Sequence, residues 1–136
     1  MNYLLDTNVC IALINGSSDP VRRKFDRALG AGSSVFVSSV AMFEMWYGVF
    51  KSSRVTFNTS RLNDFVSGPI TVIPLDEDDA RTSASIRATL KLAGKPIGSY
   101  DVLIAGQAVQ RELTLVTANV AEFSRVTNLS WQDWSS

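Results

Sequence analysis

The chain has 136 residues, and 13 Lys and Arg against 13 Asp and Glu leave it with no formal net charge. That length can bury a core as one domain without disulfides or a structural metal. The neutral balance excludes a global basic field, so any polyanion has to be held by local patches.

Cys10 is the sole cysteine and there is no histidine. An internal disulfide framework, serine-histidine and cysteine-histidine nucleophiles and histidine-bearing zinc sites are therefore excluded within one chain. A hydrolase of this composition has to work with acids. Carboxylates are poor bases at their ordinary pKa, so they would hold a hard divalent ion that acidifies water. No apolar run approaches the ~20 residues that span a bilayer, and the amino terminus lacks a signal-type core. A cytoplasmic protein with no membrane partner is expected.

In chain order, the run Tyr3-Leu4-Leu5 stops at Asp6, and Thr7 and Asn8 offer cap chemistry for a helix over Asn8 to Ile14. Asp6 then lies at the carboxyl end of a first strand, the edge where open α/β sheets bind ligands. It is the only charge between Met1 and Ser18, and the plain alternative is that it merely caps the helix. Asp19 and Pro20 start a second helix that runs to about Leu29, with Arg22, Arg23, Lys24 and Arg27 as a solvated basic face. Val35-Phe36-Val37 is a short buried strand.

Ser38 or Ser39 caps the next helix, which carries Val40, Ala41, Phe43, Trp46, Tyr47 and Phe50. Glu44 is its only charge, costly in such surroundings unless paired, hydrogen-bonded or ligating. A polar helix follows over Arg54 to Val66, then a strand over Ile70 to Ile73. The acids Asp76 to Asp79 open a further helix and complement its dipole. That helix runs to Leu92 with Ile86, Leu90 and Ala93 inward, while Arg87, Lys91 and Lys95 recur every four residues on one face. They are the candidate phosphate-tracking stripe, a plain solvated face being the alternative.

After the turn Gly94 to Gly98, Ser99 can cap a helix from Asp101 to Val109 in which Asp101 is the only charge. Leu113 to Val116 is a fourth strand, followed by Thr117-Ala118-Asn119, a short helix with Glu122 and Phe123, and a tail with Trp131 and Trp134. Strands and helices alternate. This predicts a three-layer α/β/α fold around a mainly parallel sheet of four to five strands, with residues 1–136 forming a single domain.

Asp6, Glu44 and Asp101 share one property: each stands alone in a long apolar neighbourhood at or near a strand end. Brought together they repel, by roughly 4 kcal/mol per pair at about 4 Å and an effective dielectric of 20. Only protonation or a cation resolves that. Oxygen-only ligands select magnesium or manganese, which suits in-line hydrolysis of a phosphodiester.

Leu4-Leu5-Asp6-Thr7-Asn8-Val9, Phe43-Glu44 with Tyr47-Gly48, Pro96 to Ala105, Leu115-Val116-Thr117-Ala118-Asn119 with Glu122-Phe123, and the terminal Trp134 together resemble the PIN-domain pattern. Within that family they look most like the VapC-type toxins of bacterial toxin-antitoxin pairs. The resemblance implies a metal-dependent endoribonuclease directed at tRNA or ribosomal RNA, held inactive by a cognate antitoxin and commonly dimeric. It makes Asp6, Glu44 and Asp101 the acidic ligands of Mg2+ or Mn2+. Thr7 and Thr117 become hydroxyls that orient them.

Many PIN domains carry an aspartate two residues after the threonine, where this chain has Asn119. The toxin-like pattern allows Glu122 as the fourth catalytic carboxylate, with Asn119 orienting a water or ligating through its carbonyl as the alternative, and one metal or two stays open. The aromatic helix around Trp46 and Tyr47 offers a groove for a second subunit or the antitoxin. Two other classes compete: phosphoryl transfer through an aspartyl intermediate, whose partner aspartate is replaced by Asn8, and a catalytically degenerate PIN-like module that binds RNA or protein.

Overall fold

The computed structural model describes residues 1–136. Strand β1 (Tyr3–Leu5) leads into α1 (Thr7–Asn15) and α2 (Asp19–Gly30); β2 (Val35–Ser38) leads into α3 (Ser39–Phe50) and α4 (Val55–Val66). Then come β3 (Thr71–Ile73), α5 (Glu77–Leu92), α6 (Ser99–Gln110), β4 (Thr114–Val116), α7 (Val120–Phe123) and β5 (Trp131–Gln132). The five strands form one sheet in the order β3-β2-β1-β4-β5, and every pair is parallel. Helices cover both faces, giving the expected α/β/α layers. In a parallel sheet both faces are buried, and Leu4, Leu5, Val37, Leu115 and Val116 are all fully covered.

The strand order fixes where chemistry can happen. From β1 the chain moves outward to β2 and β3, then returns to β4 on the other side. The carboxyl end of β1 is therefore the switch point, where the two flanking connections diverge and leave a crevice. Leu5 pairs with Val116 at that edge, so the next residues, Asp6 and Thr117, leave neighbouring strands side by side.

Local expectations at the helix ends are partly met and partly corrected. Asp6 itself caps α1, accepting from the Val9 amide at 2.9 Å, so Thr7 and Asn8 lie inside the helix. Ser38 caps α3; the Ser39 hydroxyl instead accepts from the Leu75 amide. Gly98, not Ser99, is the N-cap of α6, and no side chain caps that helix. Ala93 is exposed at the end of α5 rather than inward. Gly94, at φ 70, takes the left-handed turn that stops the helix. The tail expected after Phe123 contributes a fifth strand, too short to announce itself by alternation. Just beyond it, Trp134 is buried edge-on against Tyr3, 5.1 Å between ring centroids.

Helices α5 and α6 are locked by a network that no local pattern announces. Asp76 and Asp79 form a reciprocal capping box at the start of α5. Asp79 is fully buried and takes the Arg111 guanidinium at 2.9 Å and the Gln107 amide at 3.1 Å. Burial pushes the Asp79 carboxyl up, but the bonds from Arg111, the Asp76 amide and Gln107 outweigh it and leave it below the ordinary carboxylate range. Between the helices, a Cβ on Gly106 would fall 1.9 Å from the Ser83 hydroxyl. Only glycine permits this approach.

Candidate active site

Four elements deliver the site. Asp6 ends β1 and is only 5% exposed. Its cap bond to Val9 fixes one carboxylate oxygen on the amino terminus of α1, and the Thr117 hydroxyl reaches the same side chain from the end of β4. One turn and a half into α3, Glu44 turns toward α1, where the Thr7 hydroxyl donates to it at 2.7 Å. Asp101, in the first turn of α6, lies beside Glu122 of α7, whose charge raises its carboxyl. Glu122 in turn accepts from the Asn119 side-chain amide at 2.8 Å, and the Asn119 backbone amide donates to Thr117 at 2.9 Å. Hydrogen bonds and mutual charge thus link Asp6, Thr7, Glu44, Asp101, Thr117, Asn119 and Glu122 near the carboxyl ends of β1 and β4.

The electrostatics follow from crowding. Burial raises the Asp6 carboxyl above its ordinary value, and the charge of Glu44 adds to that against the hydrogen bonds from Thr117 and the helix amides. Asp101 is pushed to about 6, first by burial, then by the charge and hydrogen bond of Glu122, then by Glu44 and Asp6. Cys10 lies one turn beyond Asp6, but burial and the Asp6 charge push its thiol so far up that it is inert as a nucleophile.

A hard cation fits this donor set, because every donor is an oxygen and the acids raise one another's affinity for positive charge. No group of three acidic side chains is arranged as a ready chelate. Two of the acids are committed to other donors, Glu44 to the Thr7 hydroxyl and Glu122 to the Asn119 amide.

The cationic stripe is split. Arg87 and Lys91 project from α5 into a cavity of about 330 Å³ beside the start of α6. Lys95 lies past the end of α5 and does not line it, so the four-residue rhythm breaks at Gly94. The exposed aromatic face of α3 carries Phe43, Tyr47 and Phe50, while Trp46 is half-buried and stacks on Phe50 at 5.6 Å.

Two further residues serve the site. A Cβ on Gly98 would fall 2.9 Å from Asp101 Oδ2, so the carboxylate folds back over the helix cap and needs glycine there. The signal was present, since an acid three positions after a cap characteristically reaches back to it. Tyr100 packs on Phe43 at 5.4 Å and bridges α6 to α3 beside the acids. Nothing local announces that pairing.

Comparison with known proteins places this geometry in a family. The PIN domain model matches residues 3–129. The chain is 38% identical over 135 residues to the tRNA(fMet)-specific endonuclease VapC of Shigella flexneri, covering 99% of each protein. The solved structure of VapBC2 from Rickettsia felis, bound to a DNA fragment from their promoter, superimposes with a TM-score of 0.91 at 32% identity, covering 98% of this chain and 99% of that one. DNA-bound VapBC from Salmonella typhimurium gives a TM-score of 0.90 at 34% identity over 98% of both chains. With matches of this extent in sequence and in fold, the chain belongs to the PIN-domain family, among its VapC proteins.

Proposed function

We propose that this chain is an endoribonuclease toxin that hydrolyses phosphodiester bonds in tRNA or ribosomal RNA and is silenced by a cognate antitoxin. The observation that carries the reading is the gathering of Asp6, Glu44, Asp101 and Glu122 at the switch point of a chain without histidine. The Shigella relative, named as a tRNA(fMet)-specific endonuclease, supports tRNA as the first substrate to try.

Asp6, Glu44 and Asp101 would hold magnesium or manganese. When bound, the ion supplies positive charge against the phosphoryl oxygens and a more acidic water. The chain's own residues do the rest. Asp6 is fixed by the α1 amides and Thr117 and cannot swing away from the reacting centre. Thr7 holds Glu44 in one rotamer. Glu122, braced by the Asn119 amide beside Asp101, orients water opposite the leaving oxygen.

For the partners, a groove of about 270 Å³ between α1, α3 and α4 runs past Ile11, Met45, Val49 and Leu62 with Glu44 at its edge. An antitoxin helix laid there buries apolar side chains and turns a basic one toward the acids. The exposed Phe43, Tyr47 and Phe50 offer a separate surface for a second copy.

The test is cleavage of a tRNA transcript by purified protein with manganese. Asp6→Asn keeps the helix cap, because an asparagine oxygen accepts from Val9 equally well, but removes the charge. Cutting is expected to stop in that variant and in EDTA. Cleavage that persists in the variant overturns the mechanism, and failure of the unsubstituted chain to cut any structured RNA favours a binding module instead.

A further inference from the structure

We propose that the cavity between α5 and the start of α6 is a phosphate subsite, which grips the RNA backbone across the first turn of α6 from the acids. The proposal rests on the ribonuclease reading above and adds where the substrate lies.

The cavity, of about 330 Å³, has an apolar floor of Leu90, Ile97 and Val102, and its polar wall is Arg87, Lys91 and Ser99. No acid lines it. Between Asp79 and Asp101 the chain carries Arg81, Arg87, Lys91 and Lys95 and no carboxylate at all. Arg81 is spent on Glu77, whereas Arg87 and Lys91 have no ion-pair partner. The Ser99 hydroxyl is likewise uncommitted, since it neither caps α6 nor bonds elsewhere. Arg125 comes from beyond α7 and donates to the Pro96 carbonyl at 3.1 Å, which adds another cation to the turn that walls the cavity.

Position ties the cavity to the acids. Ser99, Tyr100 and Asp101 are consecutive at the start of α6, and a helix turns about 100° per residue. Ser99 lines the cavity, Tyr100 meets Phe43 and Asp101 enters the acid cluster. Ser99 and Asp101 are thus about 200° apart, so the cavity and the acids flank the first turn of α6 on opposite sides, roughly one helix diameter of 10–12 Å apart. A neutral chain needs such a patch to hold a polyanion against four carboxylates.

The chemistry fits a phosphodiester. A guanidinium fork, an ammonium and a hydroxyl are the donors that proteins place on phosphate oxygens. No aromatic ring lines the cavity to stack a base, so this subsite sets the position of the strand and leaves base choice to other surfaces.

The experiment reads binding apart from cleavage. Full-length protein in EDTA is titrated with a labelled tRNA transcript across a series of salt concentrations. Arg87→Gln with Lys91→Gln is expected to weaken binding about tenfold or more, and to flatten the salt dependence by roughly 0.7 to 0.9 in log-log slope for each phosphate that is no longer neutralised. Arg23→Gln on α2 should leave both unchanged. Unaltered affinity and slope in the double variant overturn the proposal, as does an unsubstituted chain that binds no RNA. So does conversion of a dimer to a monomer with RNA binding intact, which would make the cavity part of a subunit interface. Loss of cutting in Asp6→Asn is scored separately, so the nuclease reading can stand when this subsite falls.

Discussion

The Thr7 hydroxyl donates to Glu44 at 2.7 Å across 37 positions of sequence, joining the first turn of α1 to the middle of α3. That bond aims an acid that would otherwise have the freedom of a long side chain. Thr7→Val keeps the volume and removes the donor. Activity and manganese affinity are expected to fall about 10- to 100-fold, in the range found when groups orienting metal ligands are lost. Thr7→Ser restores the donor and should recover most of both. Isothermal titration with manganese beside RNA cleavage checks this, and full affinity in the valine variant would show that the bond is idle.

Asp101 links the site to stability. Its carboxyl is held at about 6 instead of 3.8, by burial and then by Glu122, so the folded chain binds that proton more tightly than the unfolded chain. Stability therefore falls as pH rises from near 4 through 6, and above 6 the whole penalty is present. Asp101→Asn removes it. In EDTA the variant should melt a few degrees higher than the unsubstituted chain at pH 7.5, with no advantage near pH 3.5. Manganese should raise the melting temperature of the unsubstituted chain at pH 7.5 and do so less for the variant.

At the far side of α6, Arg111→Met tests the buried pair with Asp79. Removing one partner leaves a carboxylate uncompensated in the interior, at a cost of about 3 kcal/mol. The paired Asp79 lies below the ordinary value, so its contribution is present above about pH 4 and lost on acidification through the folded pKa. In the variant the sign reverses, because acid protonates the orphaned group and relieves it. Urea unfolding at pH 7 and pH 4.5 should show a smaller deficit at the lower pH. An equal deficit at both would mean that Arg111 acts by packing alone.

Gly98→Ala is expected to damage catalysis and spare the fold. Gly98 has φ −55 and ψ 148, which alanine adopts freely, but the new methyl would sit 2.9 Å from Asp101 Oδ2. The carboxylate is the flexible party and must swing away. A displacement of that order can cost about a hundredfold in rate, with a melting temperature close to that of the parent. Parental cleavage in the alanine variant would show that Asp101 acts from more than one position.

The sequence by itself determined the alternation of strands and helices and the residues to watch at the switch point. Each apolar run is long enough for a buried parallel strand, and Asp6, Glu44 and Asp101 betray themselves by lacking any charged neighbour along the chain. Those are local properties, so one chain displays them. Tertiary structure decided what depends on distant partners. The order β3-β2-β1-β4-β5 sets Asp6 beside Thr117. Asn119 braces Glu122 against Asp101, instead of each acid standing free for a preformed chelate. Asp79 is a buried ion-pair partner as well as a cap because Arg111, 32 positions away, folds onto it. Lys95 drops out of the basic stripe because Gly94 ends the helix first. A local pattern records which side chains will lose water, but only packing across the fold supplies the donors and cations that compensate them.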